Sequence, residues 1–310
     1  MYTEPHEFAM NFPKVMSEVR MESYEHWSWP RFLARSFSNT PRGIVLGFMI
    51  AGAVLLAGFF LIPSDRLFAA HLGPGAFYEL VPYVVMLVPA LILFLFGAAI
   101  WLQGAVRFWT ESDSPLLRRP SGLGPCIRAL RDSLTLKYLG GGGPGCYYAS
   151  DRPSSARRIF HAFVFWGFLA DLVSTTLAFV YQDFLHILPP YPVVSAPVIF
   201  GIAGGIGLIV GTPGLIWFKL KSDQSQSAAK AYGMDYAFLI FLGLTGLTGM
   251  LTLFFRSTPA MGAMLMIHLG TVAALFATAP YGKFVHFVYR SLALVRYQIE
   301  AQNSPPQGGH

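Results

Sequence analysis

GIVLGFMIAGAVLLAGFFLI, residues Gly43–Ile62, is twenty residues without a charge or a proline. As a helix it rises about 30 Å, the thickness of the hydrocarbon layer of a bilayer. Lipid offers the backbone no hydrogen bonds, so a run of this kind pairs its amides internally and crosses the membrane as a helix. Five further runs have the same character: Leu80–Val106, Ile159–Val180, Val194–Phe218, Tyr236–Phe255 and Ala260–Ala279. The expected fold is all-α, a polytopic membrane bundle of about six transmembrane helices. Pro82 and Pro89 lie in the second run, where a kink or tilt is expected.

Composition agrees. Of the 310 residues 54% are hydrophobic and 12% charged, against roughly a quarter charged in soluble domains. The formal charge of +6 follows from basic loops rather than from a nucleic-acid surface. Twenty of the twenty-two Lys and Arg residues fall in 1–42, 107–158, the loop after the fourth run and the tail; only Arg66 and Arg256 fall on the other side. The positive-inside rule then places both termini in the cytoplasm, which in a bacterium means a protein of the inner membrane. The polar first forty residues show no signal peptide.

The organisation expected is a cytoplasmic segment 1–42, a membrane domain 43–300 with a cytoplasmic loop 107–158, and a disordered tail 301–310. The loop holds Gly140-Gly141-Gly142-Gly143-Pro144-Gly145-Cys146. No Lys-Ser or Lys-Thr follows, so it is not a nucleotide-phosphate loop but a tight turn. The loop and segment 1–42, with Arg118, Arg119 and Arg131, form a basic face suited to a soluble redox partner. Cys126 and Cys146 are the two cysteines, too few for an iron–sulfur cluster within the chain. The fourth run carries Gly201, Gly204, Gly205, Gly207 and Gly211; close helix packing is the simpler reading, approach of a cofactor ring the alternative.

Four of the eight histidines sort by topology. His161 opens the third span and His286 follows the sixth, both at the cytoplasmic end. His268 lies near the outer end of the sixth span, and His186 beyond the outer end of the third. The two spans are antiparallel, so His161 faces His286 at one level and His186 faces His268 at the other. His268 and His286 are 18 residues apart, about 27 Å and five turns of one helix, which puts both rings on one face. Neutral imidazole is an axial haem ligand, so the set fits one haem b near the cytoplasmic surface and a second near the outer one. His161 and His286 are ligands of the first; His268 is a ligand of the second, with His186 as partner and Gln182 as the fallback. Arg157, Arg158 and Lys283 stand where haem propionates reach the headgroup boundary. Phe160, Phe163, Phe165, Trp166 and Phe284 are candidates to pack the porphyrin. Asp171, near the middle of the third span, is expected to be protonated or bonded to a hydroxyl or to Gln182; a proton path or quinone contact is the alternative.

Arg157-Arg158-Ile159-Phe160-His161, Pro190-Tyr191-Pro192, Ala260-Met261-Gly262, His268-Leu269-Gly270 and Pro280-Tyr281-Gly282-Lys283-Phe284-Val285-His286 together resemble the membrane half of the tricarballylate-utilisation protein B (CitB-like) family. The two-histidine final span is more distantly similar to the haem b subunit of respiratory nitrate reductase. The resemblance runs from about Tyr2 to Glu300. It implies a cytochrome b-like electron conduit: an FAD-dependent tricarballylate dehydrogenase-like protein passes electrons through iron–sulfur clusters and haem b toward the membrane quinone. In that family a cysteine-rich ferredoxin-like module precedes the membrane half; here Met1–Phe8 resembles the stretch after its last cysteines, so the clusters are expected either on a separate iron–sulfur protein or on a part of the protein ahead of this stretch. The family's second histidine after the position of His161 is Ala162 here, and its outer third-span histidine aligns with Gln182. Two other readings are a small-molecule transporter and a haem-free membrane anchor. The first expects repeated halves around a midplane site, which are absent from this sequence; the second leaves the paired histidines unexplained.

Overall fold

Each apolar run is a helix. The computed structural model describes residues 11–37, 40–111, 114, 117, 122–140, 154–222, 225 and 227–304. Its helices are α1 (Phe12–Trp27), α2 (Arg31–Phe37), α3 (Thr40–Leu61), α4 (Ser64–Leu67), α5 (Ala76–Leu80), α6 (Tyr83–Glu111), α7 (Gly124–Leu134), α8 (Ala156–Asp183), α9 (Ala196–Lys221), α10 (Ala229–Phe255), α11 (Met261–Thr278) and α12 (Val285–Asn303). Six of them, α3, α6, α8, α9, α10 and α11, are long and apolar enough to cross a bilayer. The ends differ from the expected ones by a few residues: α6 starts after Pro82, where proline suits a helix entrance, and runs unbroken through Pro89. Residues 1–10, Arg118, Arg119, 141–146 of the glycine loop and 305–310 of the tail lie outside the described residues.

The glycines of α9 decide how α8 is held. A Cβ on Gly207 would lie 2.8 Å from Gly167 Cα and from Phe163 O; one on Gly211 would lie 2.8 Å from Phe160 O and Val164 N. The two backbones are in direct contact, so the glycine run serves helix packing. From this seam the spans follow in order: α10 packs on α9, α11 on α10, α3 on α11, and α6 along α11 and α12. Val164, Leu208, Phe241, Leu242, Ala274 and Leu275 form the shared core of α8–α11. Outward faces carry large apolar side chains such as Phe60, Leu61 and Phe254, as lipid contact requires.

Six crossings return the chain to the side it started from. At that end α1 and α12 meet the bundle through Met21, Tyr24, Met234, Val285 and Tyr289. Asn11 Oδ1 caps α1 by accepting from the Lys14 amide at 3.1 Å, and Pro13 occupies its first turn, a combination that fixes a helix start.

One geometric expectation fails. His268 and His286 are not on one continuous helix, because α11 ends at Thr278 and α12 begins at Val285. Pro280 is the cause: it has no amide hydrogen to donate and its ring collides with the preceding turn. The turn it makes is fixed, with Pro280 buried and the Tyr281 hydroxyl donating to Trp29 O at 3.2 Å.

Candidate functional site: histidines at two levels

The turn at Pro280 brings His286 to the first turn of α12, where its Nδ1 hydrogen-bonds the Lys283 carbonyl at 2.5 Å. Since a carbonyl only accepts, Nδ1 carries the hydrogen and Nε2 keeps the lone pair. This is the tautomer a metal-ligating histidine adopts when its second nitrogen is held by a backbone oxygen. Burial pushes the His286 imidazole down to about 4, and the neighbouring Lys283 ammonium adds to the fall, so it is neutral at physiological pH.

His161, on the second turn of α8, is close enough to act on the charge of His286, and Arg290 acts on both rings. His161 Nδ1 is buried and has no hydrogen-bond partner among the described residues. A buried imidazole nitrogen without a partner is costly in a folded chain and is what an absent ligand would leave behind. Two residues before His286, Phe284 centres an aromatic cluster: it stacks on Trp101 with centroids 5.7 Å apart and meets Phe168 at 4.8 Å and Phe238 at 5.2 Å. Of the aromatic candidates only Phe284 lies in this cluster. Phe160 packs on Phe218 of α9, and Phe163 and Trp166 are exposed.

The cations divide. Arg157 acts on His161. Arg158 donates to Thr135 O at 3.4 Å and ties α7 to the first turn of α8. Lys283 is an ion-pair partner of Asp235 at 2.8 Å, and Lys219 meets the other oxygen of the same carboxylate at 2.5 Å. The sequence assigns Arg290 no role on its own. Its position four residues after His286 on one helix is the available signal, since residues at that spacing share a face.

At the second level, His268 Nδ1 lies 3.0 Å from Thr248 Oγ1. The Thr248 hydroxyl donates to Leu244 O at 2.7 Å and the Thr271 hydroxyl to His268 O at 2.9 Å. With those hydrogens spent, His268 Nδ1–H donates to Thr248 Oγ1 and Nε2 again keeps the lone pair. Gly249 of α10 gives the ring its room: a Cβ there would lie 3.1 Å from His268 Cε1. His186 is exposed in the connection after α8, with φ 56°, and forms no hydrogen bond or ion pair among the described residues. Gln182 is engaged, its Oε1 accepting from the Tyr78 hydroxyl at 2.9 Å. His161 thus lies close enough to His286 for charge to act between them, and among the described residues no hydrogen bond joins His268 to either outer candidate.

Among the described residues no three His, Cys, Asp or Glu side chains gather into a metal site. Haem asks less of the protein, two axial nitrogens and an apolar cleft, and the unpaired His161 nitrogen, the two preset tautomers and the glycine against His268 fit such a group.

Among known proteins, the profile of the family described as Citrate utilization protein B matches residues 39–307. The Citrate utilization protein B of Escherichia coli is 39% identical over 311 residues, covering 99% of this chain and 80% of that protein. No solved structure matches.

Proposed function

The chain belongs to the citrate utilization protein B family, and on that footing we propose that it is a cytochrome b-type electron-transfer subunit of a bacterial inner membrane. Electrons come from a soluble flavoprotein, of the kind that oxidises tricarballylate, by way of iron–sulfur clusters, and leave to the membrane quinone. Both termini are cytoplasmic, as the distribution of Lys and Arg supports. The single observation that carries the reading is the buried, neutral His286 of α12, its Nδ1 tied to Lys283 O and its ring within reach of the charge of His161 on α8.

Haem b bound there would cycle a single electron between its ferric and ferrous forms. The chain's own part is to supply two neutral imidazoles, to exclude water with Trp101, Phe168, Phe238 and Phe284, and to hold Arg157 and Arg290 near the propionates. Lys283 holds His286 through its carbonyl while its charge is matched by Asp235. His268, oriented by Thr248, serves a second haem on the outer side. Basic residues Arg107, Arg128 and Arg131 belong to the face met by the soluble donor, whose acidic surface they would steer.

A reduced-minus-oxidised absorption spectrum of the purified protein tests the reading. A low-spin b-type signal is expected, and His286→Ala and His161→Ala should each remove or convert to high spin the haem at the cytoplasmic level while His268-dependent haem persists. Variants that insert normally and keep the full wild-type haem content and spectrum would overturn it.

A further inference from the structure

Asp171 is a carboxyl near the middle of the apolar helix α8, with no counter-charge among the described residues. It lies fifteen residues from Ala156 and twelve from Asp183 on α8, about 22 Å and about 18 Å along the helix axis. The groups expected to satisfy it are engaged elsewhere. Ser174 Oγ donates to Pro197 O at 2.6 Å, Thr175 Oγ1 to the backbone oxygen of Asp171 at 3.0 Å, and Gln182 accepts from Tyr78. Among the described residues no hydrogen bond or ion pair reaches the Asp171 carboxyl.

The neighbouring helix is shaped around it. A Cβ on Gly204 would lie 2.5 Å from Asp171 Cγ and 2.8 Å from its amide nitrogen, closer than atoms approach. The slot is not sealed: Asp171 is itself only partly buried, and Thr175, one turn along the same face, is exposed. An ionised carboxylate at this depth is costly, so the group keeps its proton, and a neutral carboxylic acid presents one O–H donor. Asp235 is the contrasting case, a carboxylate at the end of its span held between Lys219 and Lys283.

We propose that Asp171 is a binding residue for a lipid-dissolved molecule bearing a carbonyl acceptor, a membrane quinone, which docks from the bilayer on the lipid-facing edge of the α8–α9 seam and accepts the carboxyl O–H. The assignment rests on the quinone-directed reading above and adds the place where that molecule docks. It also accounts for glycine at position 204, where any side chain would displace the carboxyl.

Dicyclohexylcarbodiimide, an apolar reagent that attacks protonated carboxyls from the lipid phase, tests this on the full chain in nanodiscs. The carboxyl proton passes to one carbodiimide nitrogen, the carboxylate oxygen adds to the central carbon, and an oxygen-to-nitrogen acyl shift gives a stable N-acylurea with no leaving group. Peptide mass spectrometry should find the adduct on Asp171 and none on Asp235, and Asp171→Asn should lose it. Decylubiquinone or menadione in the bilayer should slow labelling of Asp171 several-fold. An unlabelled Asp171, or labelling at a rate indifferent to both quinones, would overturn the proposal. The absorption spectrum of the same preparation keeps the two readings apart. Quinone protection without haem removes the electron-transfer reading and leaves this site standing, and full haem without protection does the reverse.

Discussion

The Lys283 carbonyl accepts the Nδ1–H of His286 at 2.5 Å, so the residue that orients the imidazole is itself anchored by charge. Its ammonium is paired with Asp235, which also holds Lys219. Lys219 closes the group by lying 4.5 Å from the centre of the Tyr232 ring. One carboxylate therefore joins the end of α9, the start of α10 and the turn before α12, and reaches His286 through one residue. Metal-ligating histidines depend on outer partners of this kind.

Asp235→Asn should accordingly act twice. It removes the charge that two lysines share while all three side chains stay less than a quarter exposed. Breaking a buried pair by deleting one partner costs about 3–5 kcal/mol, and the two lysines left behind repel each other. Thermal unfolding in detergent should shift down, and haem content at the His286 level should fall in step with it. Wild-type melting together with wild-type haem occupancy in the Asp235→Asn variant would show that the anchor is idle.

The α8–α9 seam makes a second, purely structural prediction. Gly207→Val places branched carbons where 2.8 Å already separates a Cβ from Gly167 Cα. Backbone cannot yield as a flexible side chain does, so the helices must part, and overpacking of this kind costs about 1–3 kcal/mol or more. Gly52 is the control, because a Cβ there meets nothing within 4 Å. Gly207→Val should lower the melting temperature and Gly52→Val should not; equal effects would remove the seam's special role.

How much of this was legible in the sequence depends on distance along the chain. The six spans were, because an uncharged run of about twenty residues has few other fates, and span order alone was the ground for expecting His161 opposite His286. The five-turn argument joining His268 to His286 failed because it carried one helix through Pro280. The helices α1, α7 and α12 carry mixed polar and apolar surfaces and gave no strong signal. Arg290 was within reach, four residues from His286. The Lys219–Asp235–Lys283 group and the Thr248 hydroxyl beside His268 were not, since they join residues that only the packing of α9, α10 and α11 makes neighbours. For the same reason the packing of Phe160 on Phe218 of α9 was out of reach.

The connection between α3 and α6 carries a pH dependence of its own, on the opposite side of the bundle from His286. His71 Nε2 lies 2.8 Å from Arg66 O and its Nδ1 2.5 Å from Glu79 Oε2, so the ring ties α4 to α5. The Arg66 carbonyl first and the Glu79 carboxylate second hold the His71 pKa above its ordinary value, because both accept hydrogens that only the protonated ring can supply together. A pKa raised on folding stabilises the fold below the unfolded value, near 6.5, and that contribution is lost as pH rises through the folded value. Backbone amides of residues 63–80 should therefore exchange hydrogen more readily, after correction for intrinsic rates, as pH climbs above about 6.5. His71→Gln should exchange readily at every pH and lose the dependence. A wild-type protein whose 63–80 protection is flat from acid to alkaline pH would sink the assignment of this clamp to a protonated His71.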